Sequence, residues 1–124
     1  MAYSFSVTRK PNYLHVVVTG ENTAEHVRRY LSEVAAACTR YQCWRVLIEE
    51  NLSGPSLPVA EVFFLAAEGS RSVAPGVNRI AYVDVNPEHD RGTLDFAETV
   101  AVNRGVNVKR FAKVDDAEIW INQV

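Results

Sequence analysis

Two serines hold the hydroxyls best placed for chemistry. Ser53 and Ser56 stand in Asn51-Leu52-Ser53-Gly54-Pro55-Ser56-Leu57, between the run Arg45-Val46-Leu47-Ile48-Glu49-Glu50 and Pro58-Val59-Ala60. The run reads as a central strand, Asn51 to Leu57 as a polar loop, and Pro58 onward as a helix, because a missing N–H costs nothing in a first turn. Open α/β sheets bind ligands at strand-to-helix turns of this kind. Ser56 is placed to cap the helix, an interaction worth about 1 kcal/mol. Ser53, beside Gly54, reads as the more exposed turn residue. A phosphate on either adds roughly −1.5 to −2 charges next to a positive helix end.

The other polar candidates form no recognised motif. Glu49 and Glu50 are adjacent in a strand, so they face opposite sides and read as rim charges rather than a catalytic pair. Asp84, Glu88, His89, Asp90 and Arg91 gather after a later strand, as a solvated loop or as a site rim beside the Ser53 loop; Asp84 and His89 are the rim candidates. His15 lies mid-strand, opposite Leu14, Val16 and Val18, and reads as a surface or interface residue. With His26 on a helix flank, the three histidines are dispersed, so neither a metal nor a cofactor is expected. Cys38 and Cys43 match neither Cys-x-x-Cys nor zinc spacing and read as reduced thiols. No Gly-x-Ser-x-Gly elbow, P-loop or dinucleotide fingerprint is present.

These residues need a scaffold, and the periodicity supplies one. Tyr3, Phe5 and Val7 alternate with Ser4, Ser6 and Thr8, a half-buried strand. Lys10-Pro11-Asn12 turns the chain into a second strand, Tyr13 to Thr19, giving an antiparallel hairpin. Asn22 is placed as an N-cap, with Glu25 closing a capping box. Ala24, Val27, Leu31, Val34, Ala35 and Cys38 then form one helical face, ending near Arg40 to Gln42. A second amphipathic helix carries Val59, Val62, Phe63, Ala66 and Ala67. Strand Arg79 to Val85, a helix from about Gly92 to Arg104 and a short strand from Val106 to Phe111 follow. Asp115 and Glu118 suggest a capping box on a last helix striped with Ala117, Trp120, Ile121 and Val124. Alternating strands and helices imply βαβ units in a mostly parallel sheet, which the first hairpin makes mixed.

Bulk properties narrow the function classes. The chain has 124 residues, 48% of them hydrophobic and 23% charged, as in one average globular domain spanning 1–124. A formal charge of −2 with scattered basic residues argues against nucleic-acid binding. The N-terminus lacks a basic n-region and an apolar h-region, and no apolar run reaches the ~20 residues of a membrane span. A cytoplasmic location is expected.

The order β-β-α-β-α-β-α-β-α resembles the SpoIIAA-like (STAS-like) fold of the anti-sigma factor antagonists. Tyr13-Leu14-His15-Val16-Val17-Val18-Thr19-Gly20 resembles that group's second strand and its terminal Gly. Arg45 to Glu49 resembles the central strand, and Arg79-Ile80-Ala81-Tyr82-Val83 the next. Asn103-Arg104-Gly105, Val108-Lys109-Arg110-Phe111 and Asp116 to Ile121 resemble the closing pattern of bacterial SpoIIAA-like proteins. The resemblance covers nearly the whole chain. It implies a five-stranded, mostly parallel sheet with about four helices. It also implies a Ser or Thr phosphoacceptor at the helix after the central strand, phosphorylated by a partner kinase. In the antagonists an Asp precedes that residue; here Asn51, Ser53, Gly54 and Ser56 make up the matching loop, and no Asp precedes either serine.

The leading expectation is a non-enzymatic regulatory domain working by protein contact, with a kinase-like or sigma-regulatory partner. The alternative is a carrier for a small apolar ligand or lipid, its pocket lined from the helix bearing Phe63, Phe64 and Leu65. An enzyme with a pocket near Ser53 and His89 is a third reading, and needs a base within reach of a serine. If the helices lie mainly on one sheet face, the other needs cover. Tyr3, Phe5 and Val7, or Tyr13, His15 and Val17, with Leu47 and Tyr82, would form an apolar patch there, which suggests a homodimer.

Overall fold

The computed structural model describes residues 2–124. Strands β1 (Ser4–Arg9) and β2 (Leu14–Glu21) form the antiparallel hairpin, with Phe5 opposite Val18 and Val7 opposite Val16. Helix α1 (Ala24–Tyr41) leads to β3 (Arg45–Ser53), α2 (Val59–Arg71) to β4 (Arg79–Asp84), α3 (Arg91–Asn103) to β5 (Val108–Phe111), and α4 (Val114–Ile121) closes the chain. The five strands lie in the order β1-β2-β3-β4-β5, and β2 to β5 are parallel. The expected mixed α/β sheet is therefore present.

Topology decides which face each helix covers. The sheet is laid down in one direction, so right-handed crossovers put α1, α2 and α3 on the same face. Leu14, Val16 and Val18 of β2, Val46, Ile48 and Leu52 of β3, and Tyr30, Val34 and Cys38 of α1 form the main core there. Tyr3, Phe5 and Val7 pack against this core too.

Helix α4 has no following strand and lies on the opposite face. It closes a second core of Tyr13, Leu47, Ala81, Val83, Ala117 and Ile121. Its C-terminus is tied to the sheet by two arginines: Arg45 donates to the carbonyls of Ile121 (3.0 Å) and Gln123 (2.7 Å), and Arg79 to those of Trp120 (3.1 Å) and Gln123. The apolar patch expected on an open sheet face is thus not there. Tyr13 and Leu47 lie under α4, Tyr82 points into the main core, His15 pairs with Glu49 at 3.0 Å, and Val17 is half-buried.

Several local expectations change at the helix ends. Thr23, not Asn22, caps α1, accepting from the His26 N–H at 3.1 Å. This moves Glu25 out of the capping-box position. Pro58 precedes α2 and Lys113 precedes α4, and neither helix has a side-chain cap. Ser56 is therefore not the N-cap of α2, and Asp115 is not that of α4. Asp90 caps α3 instead, accepting from Thr93 N at 2.8 Å. Val124 falls off the apolar stripe of α4 and is exposed.

Ile121 is fully buried at the centre of the second core. Ile121→Ala is expected to destabilise the fold by about 3 kcal/mol, the cost of a large-to-small core substitution that leaves a cavity. Urea unfolding followed by tryptophan fluorescence reads this directly; a loss under about 1 kcal/mol would mean that α4 is not a structural part of the core.

Candidate functional site

The C-terminal ends of the parallel strands carry the polar groups. Strand β3 runs three residues past Glu50, so Glu50 is an interior position of the strand, between Ile48 and Leu52 on the main-core face. Only 4% of it is exposed. This corrects the rim assignment: Glu49 does face the other side, where it meets His15, but Glu50 is buried in the core.

Two tyrosines make that burial tolerable. Tyr30, one helical turn before Val34 in α1, donates its hydroxyl to Glu50 Oε2, and Tyr82 of β4 donates to Oε1 at 3.1 Å. Asp84 sits opposite Glu50 in the β3–β4 register. Burial and the Asp84 charge push the Glu50 carboxyl up to about 7, against the opposing effect of the two hydroxyls and of His89. Burial, with Glu50 next to them, likewise pushes both tyrosines well above their ordinary range.

His89 completes the network. Its side chain is 3% exposed and that of Asp84 1%, so both are interior groups rather than part of a solvated loop. Nδ1 lies 2.5 Å from Asp84 Oδ2, and Nε2 lies 2.9 Å from the Gly54 carbonyl. Nδ1 is placed to donate to the carboxylate, whereas Nε2 faces the Gly54 carbonyl and, at 3.3 Å each, the side-chain amide nitrogens of Asn22 and Asn86. Glu50, Asp84 and His89 each present one ligating atom, all within 4.8 Å of one another. A divalent cation would find three donors here, in competition with the hydrogen bonds they already make. No metal-ligand spacing is visible along the chain because the three come from two strands and a loop.

The loop after β3 is fastened to this network from three sides. Asn22, just after β2, donates to the Pro55 carbonyl at 2.9 Å. Asn86, after β4, donates to the Leu52 carbonyl at 2.8 Å. His89 holds Gly54, whose φ of +103° lies in the region that favours glycine. Asn51 and Ser53, expected in the loop, are the last residues of β3; the irregular segment is Gly54 to Pro58. Ser53 is exposed and donates to the Gly20 carbonyl at 3.1 Å. Ser56 accepts from the Asp90 backbone N–H at 2.8 Å, which ties the loop to the start of α3. Neither hydroxyl is bonded to His89, so the serine–base pair an acyl-transfer enzyme needs is not formed.

Beneath the loop, a cavity of about 200 Å³ lies between the sheet and helices α1, α2 and α3. Its walls are mostly apolar, with Leu31, Val34, Val46, Leu65 and Ile80 among them. Glu50, Tyr82, Asp84 and His89 form its polar end. Leu65 lines it as the carrier reading expects, but Phe64 faces outward and is 58% exposed, and Phe63 stacks on Phe96 across the α2–α3 surface at 6.4 Å between centroids. Cys38, at the cavity wall, is buried, and desolvation pushes its thiol up to about 11; Cys43 is half-buried, and both are free.

By sequence, no protein-family model and no curated protein matches this chain. By structure, it is similar to an anti-sigma factor antagonist from Mycobacterium paratuberculosis, with a TM-score of 0.61 at 13% identity over 98% of this chain and 96% of the other. It is also similar to an uncharacterised protein with a SpoIIAA-like fold from Shewanella loihica, with a TM-score of 0.51 at 17% identity over 96% and 93% of the two chains. The fold is SpoIIAA-like, as the sequence resemblance implies. No helix among the described residues is long and apolar enough to cross a membrane.

The buried carboxylate has a signed consequence for stability. With a folded value of about 7 against an ordinary 4.5, Glu50 holds a proton in the folded state that the unfolded chain releases. Its cost is absent below about pH 4.5, grows as pH rises to about 7, and is constant above that. Glu50→Gln is therefore expected to match the parent at pH 4.5 and to exceed it by about 3 kcal/mol at pH 8. Urea melts of both proteins across that range supply the difference. A difference that does not change with pH would show that Glu50 titrates normally.

Proposed function

We propose that this chain is a regulatory domain that acts by binding another protein through the loop Asn51 to Leu57 and the exposed side of α2. The observation that carries this is the surface beside the loop. Val59 and Phe64 are 56% and 58% exposed on α2, and Phe63 and Phe96 are each 36% exposed next to them. An apolar surface of this kind, rimmed by polar loop residues, is characteristic of protein-contact sites. The fold it shares with an anti-sigma factor antagonist supports the same reading and a sigma-regulatory partner.

Phosphorylation of the loop is the switch this reading favours. Ser53 is the accessible hydroxyl, and its modification would remove the bond to Gly20. Ser56 is half-buried, and a phosphate there would take the place of the hydroxyl that accepts from Asp90 N. It would stand between the uncapped first turn of α2, which attracts it, and the Asp90 carboxylate, which repels it. Either modification puts new charge at the rim of the apolar contact surface, where it alters partner affinity.

The test is crosslinking of the protein in its own cells, followed by intact-mass and phosphopeptide analysis. The expected result is a discrete protein partner joined through α2 or the loop, lost in Phe64→Glu, and phosphate on Ser53 or Ser56. Loss of the partner should come without loss of fold, because Phe64 is largely exposed. An unmodified loop with a partner that persists in Phe64→Glu would overturn both the surface and the switch.

A further inference from the structure

The protein-contact reading leaves the cavity beneath the loop unused, and its chemistry points to a ligand. Its walls come from α1, α2, α3 and the sheet. Glu50, Asp84 and Glu98 supply three carboxyls to the lining, and His89 is the one basic side chain among the lining residues, with no lysine or arginine. Glu98 is turned to the Arg110 backbone N–H (2.5 Å). Glu50 and Asp84 therefore define the charge of the polar end. An anionic head would meet like charge there, whereas a cationic donor would meet acceptors. Glu50 accepts from two tyrosine hydroxyls, and a carboxylate has about four lone-pair sites, so it has acceptor capacity left.

Size restricts the ligand further. An apolar cavity of about 150 Å³ accommodates benzene, so one of about 200 Å³ suits roughly eight to ten non-hydrogen atoms. The space it encloses is smaller than a drug-sized molecule or a full lipid fills.

We propose that the cavity binds a small apolar molecule ending in a protonated amine, its chain along Leu31, Val34, Leu65 and Ile80 and its ammonium facing the Glu50 and Asp84 carboxylates. The proposal does not rest on the protein-contact reading. The two meet at His89, which contacts both Asp84 in the cavity and Gly54 in the loop. An ammonium that draws on Asp84 competes with that contact, so occupancy would be felt at the loop.

Octylamine, 1-octanol and octanoate, titrated at pH 8 into the isotopically labelled full chain and followed by amide chemical shifts, test this. The expected result is octylamine binding at least about ten-fold tighter than octanoate, with shifts at Leu65, Ile80 and Gly54. Glu50→Gln should lower octylamine affinity about ten-fold while leaving 1-octanol within about three-fold, which a merely structural role for Glu50 would not do. Ala101→Phe, which fills the cavity, should weaken all three probes. Octanoate binding as tightly as octylamine would overturn the proposal. So would probes indifferent to Ala101→Phe, or no shifts at millimolar octylamine. None of these outcomes depends on a protein partner, so failure here leaves the contact reading standing, and the reverse also holds.

Discussion

The end of the molecule that carries its loops depends on a carboxylate buried in an apolar core. Glu50 lies between Ile48 and Leu52 on the inward face of β3, where desolvating its charge costs several kcal/mol. That cost is bearable only while Tyr30 and Tyr82 donate to its two oxygens. The tyrosines come from α1 and β4, so the requirement fixes more than one side chain. A one-residue slip of β4 along β3 would turn Tyr82 to the α4 face and leave Glu50 half-satisfied. A polar network of this kind gives little net stability, but it penalises wrong registers heavily.

From Glu50 the dependence runs outward. Asp84 sits opposite it in the register and is contacted by His89, and His89 holds the Gly54 carbonyl. Asn22 and Asn86 fasten Pro55 and Leu52 from the neighbouring strand ends. The segment before α2 is thus positioned mostly by side chains from elsewhere. This explains why α2 can start directly after Pro58 with no side-chain cap of its own. Ser56, which a local reading makes the cap, is spent on Asp90 instead, and so joins two helix starts to one loop.

Much of this was legible in the sequence, and the misses have physical causes. Strand and helix order followed from periods of 2 and 3.6, and the mostly parallel sheet from the alternation of strands and helices. The caps failed because Ser, Asn and Asp near a helix start bond equally well to a neighbouring loop, which only tertiary structure reveals. Glu50 was read as a rim charge because β3 was ended there. Leu52 was the missed signal: Val46, Ile48 and Leu52 share one strand face, and that parity places Glu50 inside. Tyr30 was equally readable, one turn from Val27 and Val34 on the inward stripe of α1. Asp84 and His89 were legible as a possible rim beside the Ser53 loop, but their contact was not, since no spacing rule links a strand end to a loop histidine that folds back beneath another loop. The cover that α4 gives the other sheet face was missed because a terminal helix has no crossover rule to assign its side.

The loop and the cavity are consequently not separate features. Tyr30, Glu50, Asp84 and His89 line the cavity, and both His89 and Asn22 reach from it to the loop backbone. A change at either place must be transmitted through the same short set of hydrogen bonds, in which every buried side-chain nitrogen and oxygen among the described residues already has a partner. A new donor at Asp84 competes with the His89 contact, and a phosphate at Ser56 replaces the hydroxyl that accepts from Asp90 N. Because His89 is shared, a change at Asp84 in the cavity and a change at Gly54 in the loop bear on the same side chain.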